Sequence, residues 1–251
     1  MGLLSKLKGQ KSDWCTAVIV AAGTASRMNG TDKIMLELDG IPMLIRSIQP
    51  FQDSENIQEI LVVTRADLLA QAADLCEQYR ISKLSAVVVG GETRTDSVLH
   101  GLEQVDERCT LVAIHDGARP FVSRRIIDET VRCARANGAA APAVSLKDTV
   151  KTAEKNVVTG TPDRETLCAV QTPQCFDKDL IHAALVKAKK DGITLTDDCS
   201  AAERMGMKVH LTKGGNQNIK ITTPSDLWLA DGILRGRAAY CESGTDTMST
   251  D

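Results

Sequence analysis

Apolar residues along this chain fall into short, nearly uninterrupted runs separated by longer amphipathic stretches. The runs AVIVAA (17–22), EILVVT (59–64), SAVVV (85–89), TLVAIH (110–115) and AAPAVS (140–145) are too short for helices and rich in β-branched residues. They predict strands buried on both faces. Between them, residues 42–52, 66–79, 95–104, 123–137 and 178–190 carry apolar positions at helical spacing. Strands alternating with helices predict an α/β fold with a mostly parallel sheet and helices on both faces. Residues 147–170 break the alternation, with short β-prone pieces split by Lys-Asn and Thr-Gly. That stretch predicts a protruding β-arm with little core of its own, packed against something else. A short strand near 208–211 and a last helix from about Pro224 complete the pattern. One domain over 14–240 is expected, with flexible tails at 1–13 and 241–251.

Composition narrows the function classes. In 251 residues, 30 Lys and Arg stand against 33 Asp and Glu, so no global charge favours nucleic acid or an anionic membrane. No stretch reaches the roughly 18 apolar residues of a membrane helix, and the N-terminus does not read as a signal peptide. The cytoplasm is the expected compartment. The eight cysteines include no C-x-x-C pair, and the four histidines are dispersed. Scattered reduced thiols are expected, and no metal site built by the protein.

In a parallel sheet, ligands gather beyond the carboxyl ends of the strands. After the first strand comes AAGTASRMNGTDK (21–33), a small-residue loop carrying Arg27 and Lys33. Its backbone N–H groups and two cations outline a polyphosphate grip, although a simple turn with two surface cations has the same text. It contains neither G-x-G-x-x-G nor Gly-Lys-Ser/Thr, so neither the dinucleotide fingerprint nor the P-loop applies. After the third strand, GGETRTDS (90–97) offers backbone groups to a base, or only caps a helix through Thr95. After the fourth, HDGARP (115–120) places Asp116 and Arg119 three residues apart, as a ligand pair or a structural ion pair. Asp148-Thr149, Arg164, Gln171-Thr172-Pro173-Gln174, Thr196-Asp197-Asp198 and Asn218-Ile219-Lys220 are weaker individually. Together, Arg27, Lys33, Arg119, Arg164 and Lys220 could gather at one sheet edge and bind two anionic groups. No Ser or Cys nucleophile with a His base is evident, so hydrolysis is not indicated.

These segments, in this order, resemble the 2-C-methyl-D-erythritol 4-phosphate cytidylyltransferase family from about residue 17 to 234. The landmarks are AAGTASRM with Lys33, GGETRTDSV, HDGARPFV, DTVK, QTPQCF, TDDCSAAE and NIKITTPSDL. The resemblance implies a Rossmann-like nucleotidyltransferase fold and a homodimer formed through the 147–170 arm. It implies that CTP and methylerythritol 4-phosphate react in the non-mevalonate isoprenoid pathway, with Mg²⁺ held mainly by the CTP phosphates. Arg27 and Lys33 would stabilise the transition state. Arg164, reaching the neighbour's site, and Lys220 would position the acceptor phosphate. Ala21, Ala22, Gly23, Gly91, Glu92 and Ser97 would line cytosine and ribose, with Gly117 near the ribose. Asp116, Arg119, Thr149, Thr172 and Thr196 would face the acceptor. Three positions depart from the family's usual text: Ala25 for Gly, Ile34 for Gln and Gly117 for Ala. Ribitol 5-phosphate cytidylyltransferase is the nearest rival. A nicotinamide-dependent dehydrogenase and a non-catalytic nucleotide-binding subunit are more distant ones.

Overall fold

The computed structural model describes residues 13–23 and 32–243. Arg27 and Ala25 lie outside the described residues, as do 1–12 and 244–251. In chain order the elements are β1 (Cys15–Val20), β2 (Glu37–Leu38), β3 (Ile41–Pro42), α1 (Met43–Gln52), β4 (Glu59–Thr64), α2 (Leu69–Gln78), β5 (Leu84–Val89), α3 (Arg94–Leu102), β6 (Leu111–Asp116), α4 (Arg124–Asn137), β7 (Ala139–Ser145), β8 (Thr152–Glu154), β9 (Val157–Gly160), β10 (Cys168–Val170), β11 (Gln174–Asp177), α5 (Lys178–Lys190), α6 (Asp198–Arg204), β12 (His210–Lys213) and α7 (Pro224–Ser243).

Strands β5, β4, β1 and β6 lie side by side and parallel. Beyond β6 the sheet becomes mixed, because β11 runs antiparallel to both β6 and β7. β10 continues along the same edge of β7, and β12 pairs parallel with β7 on its other edge. The order reverses at β1. The chain moves outward through β4 and β5, then returns to lay β6 on the opposite side. Such a reversal opens a crevice at the carboxyl ends of β1 and β6.

Burial follows the two-residue period of a strand. Cys15, Ala17 and Ile19 of β1 join a cluster with α1, α2 and α4 residues such as Ile45, Cys76 and Ile127. Val18 points the other way, into a cluster with Val98 of α3, Leu185 of α5 and Ala202 of α6. Both faces are therefore covered, as the uninterrupted apolar runs require. A third cluster seats α7 through Ala230 on Met43, Phe121 and Ile221, beside the crevice.

Local signals set the helix ends. Ser123 caps α4 by accepting from the Ile126 N–H at 3.3 Å, and Gly138 ends it in the left-handed conformation at φ 87°. The cap of α3 is Thr93 rather than Thr95. Its hydroxyl accepts from the Asp96 N–H at 3.0 Å, while the Asp96 carboxylate accepts from the Thr93 N–H at 3.1 Å. That reciprocal pair leaves Thr95 inside the helix. The helix expected over 66–79 begins as a 3₁₀ turn, Ala66–Leu68, before α2.

The irregular 147–170 stretch resolves into two parts. β8 and β9 form a hairpin of their own, turned at Lys155 and Asn156 with φ of 47° and 66°, the left-handed pair a tight hairpin needs. Its last residues, β10, belong instead to the main sheet.

Candidate active site

The crevice holds a cavity of about 620 Å³, within the range of small-molecule sites. One wall is backbone. Val20 ends β1 and Ala21 to Gly23 follow it, and Gly90 and Gly91 follow β5. A Cβ on Gly90 would fall 2.5 Å from the Ala22 Cβ and 2.8 Å from the Ser97 Oγ. The bare backbone is therefore required for the two loops to approach. The Gly91 N–H donates to the Ser97 hydroxyl at 3.1 Å, and that hydroxyl donates to the Thr93 carbonyl at 3.0 Å. Ser97 thus braces the Gly90–Gly91 turn from below.

The opposite wall is charged. Asp116, the last residue of β6, is buried and surrounded by cations. Lys220 Nζ lies 2.8 Å from its Oδ2, Arg94 Nε 3.4 Å from its Oδ1 and Arg119 Nε 3.6 Å from its Oδ2. Burial favours the neutral acid, but the charges of Arg94, Lys220 and Arg119 outweigh it and hold the Asp116 pKa below the usual carboxylate range. Arg94 also forks onto the buried Asp198 of α6 at 2.9 and 2.8 Å. Gln174 of β11 holds that helix start in place, because its Oε1 accepts from the Asp198 and Cys199 N–H groups at 3.0 and 3.1 Å.

Behind the carboxylate runs a chain of neutral hydrogen bonds. The Asp116 N–H donates to Thr172 Oγ1 at 3.1 Å, so that hydroxyl is free to donate to His115 Nδ1 at 2.9 Å. His115 Nε2 then carries the proton and donates to the Arg119 carbonyl at 3.3 Å. Burial lowers the His115 pKa to about 3, which keeps the imidazole neutral. The Arg119 side chain closes the ring of contacts by donating to the Asn218 carbonyl at 2.8 Å, two residues before Lys220.

The crevice brings together most of the expected residues. Ala21, Ala22, Gly23, Gly91, Glu92, Ser97, Asp116 and Lys220 line the cavity. Gly117 lies just behind it, where an added Cβ would meet the Ala21 Cβ at 3.0 Å. Thr172 is buried, its hydroxyl committed to Asp116 and His115. Arg119 is committed to Asp116 and Asn218. Thr149 and Thr196 are exposed and do not line the cavity. Arg164 is exposed on the arm, where it donates to the Lys147 carbonyl at 2.8 Å. The backbone of Lys33 opens the 3₁₀ turn Lys33–Met35, and Ile34 of that turn lines the cavity. The Lys33 side chain lies outside what the structure describes.

Four contributors escaped the sequence reading. Arg94 and Asp198 stand inside segments already noted, but only the fold brings their sequence-distant carboxylate and guanidinium together. His115 reads as any residue of an apolar strand. Arg65, after β4, lines the cavity at a strand end where no glycine or paired charge drew notice.

A cleft lined by small-residue backbone and floored by cations, at the reversal of a largely parallel sheet, fits an α/β protein that binds a phosphate-bearing ligand such as a nucleotide. Comparison with known proteins narrows this. The family model for 2-C-methyl-D-erythritol 4-phosphate cytidylyltransferase (IspD) matches residues 15–236. The enzyme of that name from Caldanaerobacter subterraneus is 47% identical over 223 residues, which is 88% of this chain and 98% of the relative. The Geobacillus thermodenitrificans enzyme is 43% identical over 89% of this chain and 98% of its own length. The crystal structure of 4-diphosphocytidyl-2C-methyl-D-erythritol synthase from Anaerococcus prevotii superposes with a TM-score of 0.80 at 34% identity, covering 88% of this chain and 96% of that one. The chain belongs to the 2-C-methyl-D-erythritol 4-phosphate cytidylyltransferase family.

Proposed function

We propose that this protein transfers the cytidylyl group of CTP to 2-C-methyl-D-erythritol 4-phosphate. The products are 4-diphosphocytidyl-2-C-methyl-D-erythritol and pyrophosphate, in non-mevalonate isoprenoid precursor biosynthesis. The observation that carries this reading is the juxtaposition, in one crevice, of a backbone wall fit for a base and ribose with a cationic floor fit for phosphates.

A phosphate oxygen of the acceptor attacks the α-phosphorus of CTP in line, and the bond to the pyrophosphate oxygen breaks. Negative charge grows on the equatorial oxygens and on the leaving group. Fixed cations are therefore the main catalytic device. Arg27 and Lys33 take that part in our reading. Lys220 holds the acceptor phosphate. Asp116 orients its ammonium at 2.8 Å, leaving other N–H donors to the substrate. Backbone carbonyls near Gly90 and Gly91 accept from the exocyclic amine of cytosine, and uracil would leave them unpaired. Both oxygens of Asp116 already face cations. Among the described residues no three metal-ligating side chains cluster. In our reading Mg²⁺ enters as part of the MgCTP substrate.

The enzyme acts as a homodimer in this proposal. The arm carries Val157 and Val158 exposed at its tip, and Arg164 follows the hairpin. Docked on a second copy, the arm would deliver Arg164 to the neighbour's acceptor site. The described cysteines 15, 76, 109, 133, 168, 175 and 199 are free thiols, which fits a reducing compartment and supports the cytoplasm.

The test is pyrophosphate release by the purified protein with Mg²⁺. Methylerythritol 4-phosphate and ribitol 5-phosphate would be compared as acceptors, with CTP, UTP and ATP as donors. Turnover with CTP and methylerythritol 4-phosphate alone is expected. Lys33→Ala should slow it by roughly two orders of magnitude. Equal turnover with ribitol 5-phosphate would overturn the acceptor assignment, and an unchanged Lys33→Ala rate the role of Lys33.

A further inference from the structure

Arg65 is the residue after β4, and it reaches across the mouth of the crevice to the chain just before Lys33. Its Nη1 donates to Asp32 Oδ1 at 2.5 Å and its Nη2 to Asp32 Oδ2 at 2.9 Å, a two-pronged fork. Its Nε and Nη2 also donate to Asp67 Oδ1 and Oδ2, at 3.0 and 2.7 Å. Both the Arg65 and Asp32 side chains are largely covered, at 23% and 30% exposure. The guanidinium is thus clamped in one plane by two carboxylates, a geometry that Arg supports and Lys does not. Asp67 belongs to the 3₁₀ turn that leads into α2, so the clamp is anchored to a packed element.

The other carboxylate is the informative one. The Asp32 carbonyl accepts from the Met35 N–H at 3.0 Å, the bond that closes the Lys33–Met35 turn. Ile34 of that turn is buried against the cavity. Fixing Asp32 from both its side chain and its carbonyl therefore fixes the backbone from which Lys33 departs. A long flexible lysine gains catalytic value only if its starting point is set, because loose placement loses orientation.

We propose that Arg65 is a positioning residue for cytidylyl transfer: through the fork to Asp32 it holds the turn that carries Lys33 at the crevice. This rests on the reading of Lys33 as a transition-state cation. Arg65 itself forms no bond to the reacting groups in this scheme. Its guanidinium is already spent on Asp32 and Asp67.

The test is steady-state kinetics on four variants of the full chain: Arg65→Met, Asp32→Asn, Lys33→Ala and the Arg65→Met/Lys33→Ala double variant. Arg65→Met and Asp32→Asn should each lower kcat by roughly 10- to 100-fold, with KM for CTP changed by less than about threefold. The thermal midpoint should move little, since the fork keeps some contact with solvent and neither side chain belongs to the apolar core. The double variant should be no slower than Lys33→Ala, because the fork acts only through that lysine. Three results would overturn the inference. Multiplying losses in the double variant would show that Arg65 does not act through Lys33. A raised KM for CTP in Arg65→Met, with Asp32→Asn at the wild-type rate, would make Arg65 a direct nucleotide ligand. Wild-type kcat in Arg65→Met would leave the fork without a catalytic role. Failure of the underlying reading looks different, since Lys33→Ala itself would then turn over at the wild-type rate.

Discussion

The crevice floor and the 152–160 hairpin are opposite solutions to the placing of polar and apolar groups. At the floor, Asp116, Arg94, Arg119, Lys220, His115 and Thr172 answer one another within a single chain. The bonds pass between β6, α3, α6 and the segments before β11 and α7. In the hairpin, Val157 and Val158 are 66% and 58% exposed, and among the described residues the two short strands pair only with each other. An isolated two-stranded hairpin is marginal in water. The floor draws its charge partners from its own chain, whereas the arm has apolar surface still to cover. A site that must exclude stray water and hold charges fixed is built from internal partners. A surface that meets another copy, as our dimer proposal has the arm do, leaves its partners to be supplied.

If the floor is self-contained, removing its central charge should do the most damage. Asp116→Ala leaves Arg94, Arg119 and Lys220 facing one another without their shared counter-charge. Breaking a buried pair from one side typically costs about 3–5 kcal/mol. A loss of that size is expected in urea unfolding, together with loss of turnover. Asp116→Asn keeps the shape and should lose nearly as much, since it restores no charge. Stability within about 0.5 kcal/mol of wild type for both variants would mean that the cations are solvated individually, and the contrast with the arm would fail.

The arm should respond in the opposite way. Val157→Glu with Val158→Glu puts charge on both faces of the hairpin, at two exposed positions of β9. On our dimer proposal, sedimentation should show dissociation at concentrations where the wild type stays paired, a shift of about 2 kcal/mol in association. Activity should fall with dimer content, because Arg164 no longer reaches the neighbouring crevice. A wild-type sedimentation profile would remove the arm from the interface.

How far each region could be read in advance follows from the same difference. Runs such as EILVVT have one solution, a strand buried on both faces, and β4 occupies the residues expected. The small-residue loops after β1 and β5 were legible because close backbone approach demands small residues, as Gly90 against Ala22 illustrates. What the text could not carry was pairing over distance. Arg94 and Asp198 are separated by most of the intervening fold, and no local pattern says that a guanidinium at one helix start will meet a carboxylate at another. His115 hides for a related reason: its polarity is cancelled by Thr172 and a carbonyl that only the folded sheet provides. Thr95 was mistaken for a cap because Thr93 and Thr95 are both plausible in sequence, and the choice depends on which one meets Asp96 reciprocally. The mixed end of the sheet was hidden too, since β11 is only four residues, QCFD, with polar groups at both ends, and its text announces no strand.

The neutral side of the floor offers the finest test of the comparison. His115 has its pKa lowered to about 3 by burial, whereas an unfolded histidine titrates near 6.5. As pH falls below about 6.5 the unfolded chain takes up a proton that the folded chain refuses. Stability from this residue is therefore full above that pH and is lost progressively toward about 3, with a slope of about 1.4 kcal/mol per pH unit. Asp116 shifts in the same sense, its depressed pKa giving stability that is present above the ordinary carboxylate value and lost below it. Its window lies lower, so the two separate: between pH 6 and 5 the His115 slope acts while Asp116 is still ionised in both states. The exposed arm lacks any such buried group, so the Val157→Glu/Val158→Glu monomer should keep the slope unchanged. Nitrogen chemical shifts of the His115 ring give the decisive reading. They should show a proton on Nε2, none on Nδ1, and no titration between pH 7 and 5. A ring that titrates near 6.5 would mean that water reaches the floor from behind, and that the hydrogen-bonded chain from Asp116 through Thr172 opens in solution.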